Sequence, residues 1–138
     1  MVCDNAASLT ALLDHVHGRG ARAPALLAPE ATSARARALR TAAASWSTAH
    51  GIPVTVHTVP FADLGRTVGR DFQLASCVDG VAARSCDPPV TAIDLRPTAY
   101  GRTCADLLCD VLAGRTPPDT VRRHDWALES RASTRLGT

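Results

Sequence analysis

An α/β fold, with a mostly parallel sheet flanked by helices, is what this sequence predicts, and three observations carry that reading. Short apolar or β-branched runs at 24–28, 52–59, 72–78 and 90–95 alternate with longer stretches whose apolar residues recur at helical spacing. Most of these stretches are bounded by glycine, proline or a capping side chain. The best marked is Pro88 to Gly114, which joins a strand to an amphipathic helix.

In chain order, residues 5–17 read as a helix capped by Asp4 or Asn5, with Ala6, Leu9, Leu12, Leu13 and Val16 on one face and Gly18 and Gly20 at its end. PALLA, 24–28, has the composition of a buried strand, and Pro29 closes it. Thr32 or Ser33 caps a second helix to about Ala49, burying Leu39, Ala42, Ala43 and Trp46 and exposing arginines. Gly51 ends that helix, and the β-branched IPVTVHTV, 52–59, predicts a strand. Residues 61–70 hold two glycines and leave room for at most one helical turn. A strand over 72–78 delivers Asp79 and Gly80 to its C-terminal end, followed by a polar, proline-bounded loop.

Val90, Ala92, Ile93 and Leu95 form the next strand, and Pro97 opens a helix at the position where proline is tolerated. Tyr100, Cys104, Leu107, Leu108 and Val111 then fall on one stripe, opposite Arg102, Thr103, Asp106 and Asp110. Gly114 stops the helix and Pro117 and Pro118 prevent a restart. A final strand with considerable exposure is expected within 120–128.

At 138 residues the chain is one domain's worth, long enough to bury roughly two thirds of its unfolded surface. No apolar run approaches the ~20 residues of a membrane span, and Met1 leads into the chain without a secretory signal, so a cytoplasmic protein is expected. Five cysteines, an odd number, argue against a disulfide framework. All fifteen basic residues are arginine, a pattern that fits a GC-rich genome, and a net charge of +2 is too small to imply nucleic acid.

Motifs for catalysis are missing: there is no GxSxG elbow, Walker loop, GxGxxG or HExxH. His15 and His17 are two apart on a helix and point to different faces, so they read as surface histidines and not as a metal pair. Cys77 and Cys86 read as small core fillers. Arg122, Arg123 and His124 could touch phosphate but suit a charged exposed strand better. The expectation is a protein that is no enzyme and needs no metal or cofactor.

Several blocks resemble the effector-binding region of the LacI/GalR family of bacterial transcriptional regulators. PPVTAIDLRPTAYGR, 88–102, resembles that family's "PPLTTV...ELG" segment, and 106–114 its following helix. LESRAST, 128–134, resembles the terminal "LVxRxST", and GRTVGRDFQLASCVDG, 65–80, the "G..VP.D..V.G.DD" block. Residues 2–20 resemble the "V..DN" strand, helix and glycine that open the second subdomain, and 33–52 the arginine-bearing helix after it. Nothing in the chain resembles the family's helix-turn-helix, its hinge helix or most of its first subdomain. Where the family has a helix, a strand and another helix, Pro60 to Asp63 bridges directly.

The resemblance implies a partial periplasmic-binding-protein-like (type I) effector domain. Residues 1–87 would be second-subdomain-like, 88–119 a crossover strand and helix, and 120–138 a terminal strand and tail. It implies ligand contacts from Asp79, whose carboxylate suits sugar hydroxyls, and from Arg37 or Arg35, assisted by Ser33. The implied effector is a sugar or nucleoside, bound weakly or not at all. DNA would be a partner only if a helix-turn-helix lies upstream, and no membrane partner is implied. The helix 97–113 normally packs on the first subdomain, so Tyr100, Leu107, Leu108 and Val111 form a candidate interface for a homo- or heterodimer or for an intact regulator.

Overall fold

The structure, a computed structural model, describes residues 2–27, 33–57 and 66–135, with Val2 and Cys3 described by backbone alone. The order is β1 (Val2–Cys3), α1 (Asn5–Gly18), β2 (Ala25–Leu27), α2 (Ala34–His50), β3 (Thr55–His57), β4 (Ala75–Ser76), α3 (Val81–Ser85), β5 (Thr91–Asp94), α4 (Pro97–Leu112), β6 (Arg123–His124) and β7 (Ala127–Glu129). A 3-10 turn, Ala132–Thr134, follows.

Helix α1 starts where Asp4 accepts a hydrogen bond from the Ala7 amide at 2.9 Å, and α2 where Ser33 accepts from Ala36 at 3.2 Å. Gly51 ends α2 in the left-handed region at φ 65, a conformation that favours glycine. The two helices pack on each other and on β2. Leu9 and Leu13 meet Leu26, Leu39, Ala42, Ala43 and Trp46, and the small Ala42 and Ala43 let the helix backbones come close. Each buried leucine contributes about 2 kcal/mol of transfer free energy. Trp46 keeps its polar edge satisfied by donating to Asp14 Oδ1 at 2.7 Å.

Among the described residues the strands fall into three short sheets. β1 pairs with β6 and β2 with β3, both in parallel; β5 lies between β4, parallel to it, and β7, antiparallel. The α/β class is therefore as the sequence predicts, with parallel pairing dominant. β5 is the most buried strand, and Ala92 and Ile93 have no exposed surface.

Several boundaries differ from the expectation. The strand over 72–78 shrinks to Ala75–Ser76, because the Ser76 hydroxyl donates to the Val78 carbonyl and accepts from the Val78 amide, turning the chain out of the ladder. The loop after Asp79 contains α3, a helix missed because five residues are too few to show a periodicity. The single strand in 120–128 is two, since β6 leaves for β1 before β7 joins β5. Cys86 is exposed instead of filling the core, whereas Cys77 is half-buried against it, and Val16 is only half-buried. The Pro60 to Asp63 junction, residues 61–65 of the connector, residues 58–59 of the strand expected over 52–59, Ala28 and Pro29 at the end of the strand expected over 24–28, and Thr32 lie outside the described residues.

Candidate functional site

Asp79 leaves the C-terminal end of β4, where its amide donates to the Ile93 carbonyl at 2.8 Å. Its side chain is only 3% exposed and is clamped by two arginines. Arg131 forms a fork, Nη1 to Oδ1 and Nη2 to Oδ2, both 2.8 Å, and Arg84 Nε donates to Oδ2 at 3.0 Å. Arg131 Nη1 also donates to the carbonyl of Val90, the residue before β5, at 2.7 Å. The hydrogen bonds from Arg131, with those from Arg84, hold the Asp79 carboxyl below its usual range, and the same carboxylate raises the Arg131 guanidinium.

Around this pair the terminal turn ties β4 and β5 together. Ser133 accepts from the Thr91 amide at 2.8 Å and donates to the Leu74 carbonyl at 2.6 Å. Thr91 accepts from the Arg131 amide at 2.8 Å, and the Thr91 and Thr134 hydroxyls lie 2.8 Å apart. Thr91, Ser133 and Thr134 have no exposed surface, so these polar groups are buried and paired. His15 Nε2 reaches Thr134 Oγ1 at 3.0 Å from α1, and burial, then the charge of Arg19, lowers the pKa of this imidazole.

The other residues expected at a ligand site are dispersed. Arg35 is half-buried and donates to the Cys77 carbonyl at 3.2 Å, which brings the start of α2 to the end of β4. Ser33 is occupied as the cap of α2. Arg37 is exposed and lies on a different side of α2 from Arg35, as a two-residue step on a helix requires. Asp79, Arg35 and Ser33 thus stand near the ends of adjacent elements, but the Asp79 carboxylate is turned to Arg131 and Arg84.

The apolar stripe of α4 is only partly covered. Leu107 is buried, Val111 half-buried, and the Tyr100 ring packs edge-on against His124 at 5.0 Å; Leu108 is 58% exposed and Leu112 78%. Arg122 and Arg123 are drawn to Asp110 and Asp4, and His124 to the Leu95 carbonyl, so the trio is engaged within the fold. Among the described residues no three His, Cys, Asp or Glu side chains converge as a metal site. No described helix is long and apolar enough to cross a membrane.

Sequence reasoning missed Arg131 and Arg84 as partners of Asp79. The terminal SRAST block was visible, but a partner 52 positions away leaves no local signal. It also missed a cavity of about 1430 Å³, partly open to solvent, which lies between α1, α2, β2 and β4.

A partial α/β fold, parallel strands flanked by helices, is thus on view, and the comparisons agree with it. The chain is similar to a LacI family transcriptional regulator from Bifidobacterium animalis subsp. lactis, with TM-score 0.87 and 16% identity over 99% of this chain and 64% of that one. It is similar to a LacI family regulator from Enterococcus faecium with bound ribose, at TM-score 0.79 and 17% identity, covering 99% and 65%. The lac repressor dimer bound to operator and the anti-inducer ONPF matches at TM-score 0.82 and 19% identity, covering 96% and 51%. The chain therefore spans about two thirds or less of the length of these proteins. No curated protein matches it. Residues 60–134, more than half of the sequence, match the family described as periplasmic binding protein-like domain, and the chain belongs to that family.

Proposed function

We propose that this chain is the sensor-side portion of a LacI-type transcriptional regulator, acting in the cytoplasm without catalysis, and that its own effector site is closed. The family match and the fold support the regulatory class. The observation that carries the closed site is the Asp79 carboxylate, 3% exposed and held by three hydrogen bonds from Arg131 and Arg84. A sugar would have to displace a charge-assisted, two-pronged arginine pair with neutral hydroxyl donors, an exchange that loses free energy. Arg35 is likewise engaged on the Cys77 carbonyl. Isothermal titration against a panel of pentoses, hexoses and nucleosides is expected to give no saturable heat at millimolar ligand. A micromolar dissociation constant for any of them overturns the closed-site reading.

A second reading, an interaction module that pairs with an intact regulator through α4, is favoured by the exposure of Leu108 and Leu112 beside the buried Leu107. Co-sedimentation with such a regulator, lost on Leu108→Glu, supports it; a monomeric chain with no binding removes it.

A further inference from the structure

We propose that the cavity between β2 and β4 is a receptor for one extended β-strand from another polypeptide, apolar in its middle and carrying a carboxylate at the end beside Arg35. β2 pairs only with β3 and β4 only with β5 among the described residues, so each strand has one edge whose backbone groups lack a ladder partner. Both strands line the same cavity.

Two hydrogen bonds fix how the strands face one another. At the C-terminal end of α1, the helix that precedes β2, the Arg19 carbonyl accepts from Gln73 Nε2, just ahead of β4, at 3.0 Å. At the other end Arg35, in the first turn of α2, donates to the Cys77 carbonyl just past β4 at 3.2 Å. The helix before β2 is thus tied to the start of β4 and the helix after β2 to its end, the arrangement expected of two strands that run in the same direction on either side of the cavity. An inserted strand would hydrogen-bond on both sides, the β-augmentation mode doubled.

The walls decide what kind of strand. Leu27, Val54 and Val78 contribute open apolar surface above a floor of nearly buried leucines, Leu9, Leu13, Leu26 and Leu39, and a charged segment could not enter there without losing hydration. Among the described residues the charged ones that line it are Arg22, Arg35, Arg66 and Asp71, and Asp71 is already bound by Arg70 at 3.0 Å. The remaining charge is cationic and complements a carboxylate. Among the described residues Gln73 Oε1 is buried without a hydrogen-bond partner, an acceptor that an N–H of the incoming chain would satisfy. At about 1430 Å³ the cavity exceeds the roughly 300–1,000 Å³ of small-molecule sites.

The test uses the full chain and the synthetic peptide acetyl-Ser-Val-Ile-Val-Ala-Asp-amide. Binding is expected to slow amide hydrogen exchange in Ala25–Leu27 and Ala75–Ser76. N-methylation of alternate peptide residues removes ladder donors and is expected to weaken binding about tenfold or more. Replacing the peptide's Asp by Lys is expected to weaken it as well. The proposal is overturned by unchanged exchange at both strands, by equal binding of the N-methylated peptide, or by edges already protected in the free chain. In the last case light scattering separates a second copy in the cavity, seen as a dimer, from closure within a monomer.

Discussion

The two sides of β4 are built in opposite ways. Toward β5 and the terminal turn, every buried polar group described above has its partner, and Thr91, Ile93, Ser133 and Thr134 are wholly enclosed. Toward β2, the strand borders an open cavity and, among the described residues, hydrogen bonds join across it near the ends of β4, through Gln73 and Arg35. Polar pairing is thus concentrated on the side that carries Asp79, while the side that holds the hydrophobic cluster of α1, β2 and α2 is the one proposed to accept another chain.

That contrast predicts unequal responses to the same kind of truncation. Ile93→Ala, in the enclosed half, is expected to cost about 4 kcal/mol, because close-packed surroundings cannot collapse into the space left behind. Leu26→Ala, 8% exposed and beside the cavity, is expected to cost about 2 kcal/mol, near the bare transfer term, since it enlarges a space that already exists. Urea denaturation measures both, and equal losses would erase the distinction between the two sides.

The arginine clamp gives the next largest effect. Arg131→Ala leaves a carboxylate that is 3% exposed with only the peripheral Arg84, and is expected to cost about 3 kcal/mol. Arg84→Ala removes a side chain that is 57% exposed and is expected to cost about 0.5 kcal/mol. Arg131→Lys falls between them, because a point charge cannot reproduce the fork. If the two alanine variants lose the same stability, the clamp is a shared network and Arg131 has no privileged part in it.

What was legible in the sequence follows the same division between local and distant causes. Asp4 and Ser33 as caps, Gly51 and Gly114 as stops, Pro97 at a first turn and the Leu9–Leu12–Leu13 face all act within a few residues, and the three long helices begin and end close to where those residues place them. The truncation of β4 depends on what the Ser76 hydroxyl does within one turn, which the apolar run 72–78 conceals. Asp79 illustrates the larger gap. The family resemblance implied a hydroxyl acceptor at this strand end, but its chemistry here is set by Arg131, which reaches it because β7 returns beside β5. The stripe on α4 shows the converse: periodicity located the helix and did not reveal that Leu107 is covered while Leu108 is open.

The smallest effect concerns pH and separates the clamp from the turn that supports it. His15 has a folded pKa below its ordinary 6.5, through burial first and then Arg19, so the unfolded chain binds the proton more readily. Its contribution is present above 6.5 and is lost as pH falls through the lowered folded value. Asp79 follows the same sign at lower pH: its stabilisation is complete above the ordinary 3.8 and disappears as pH falls through the depressed value set chiefly by Arg131. Urea midpoints measured from pH 7.5 down to 3 are therefore expected to fall in two stages. His15→Gln should remove the earlier stage alone, since an amide can still reach Thr134 but does not titrate. A single acid transition, unchanged in His15→Gln, would mean that the buried hydroxyls of the turn do not sense the imidazole and that the clamp alone governs acid stability.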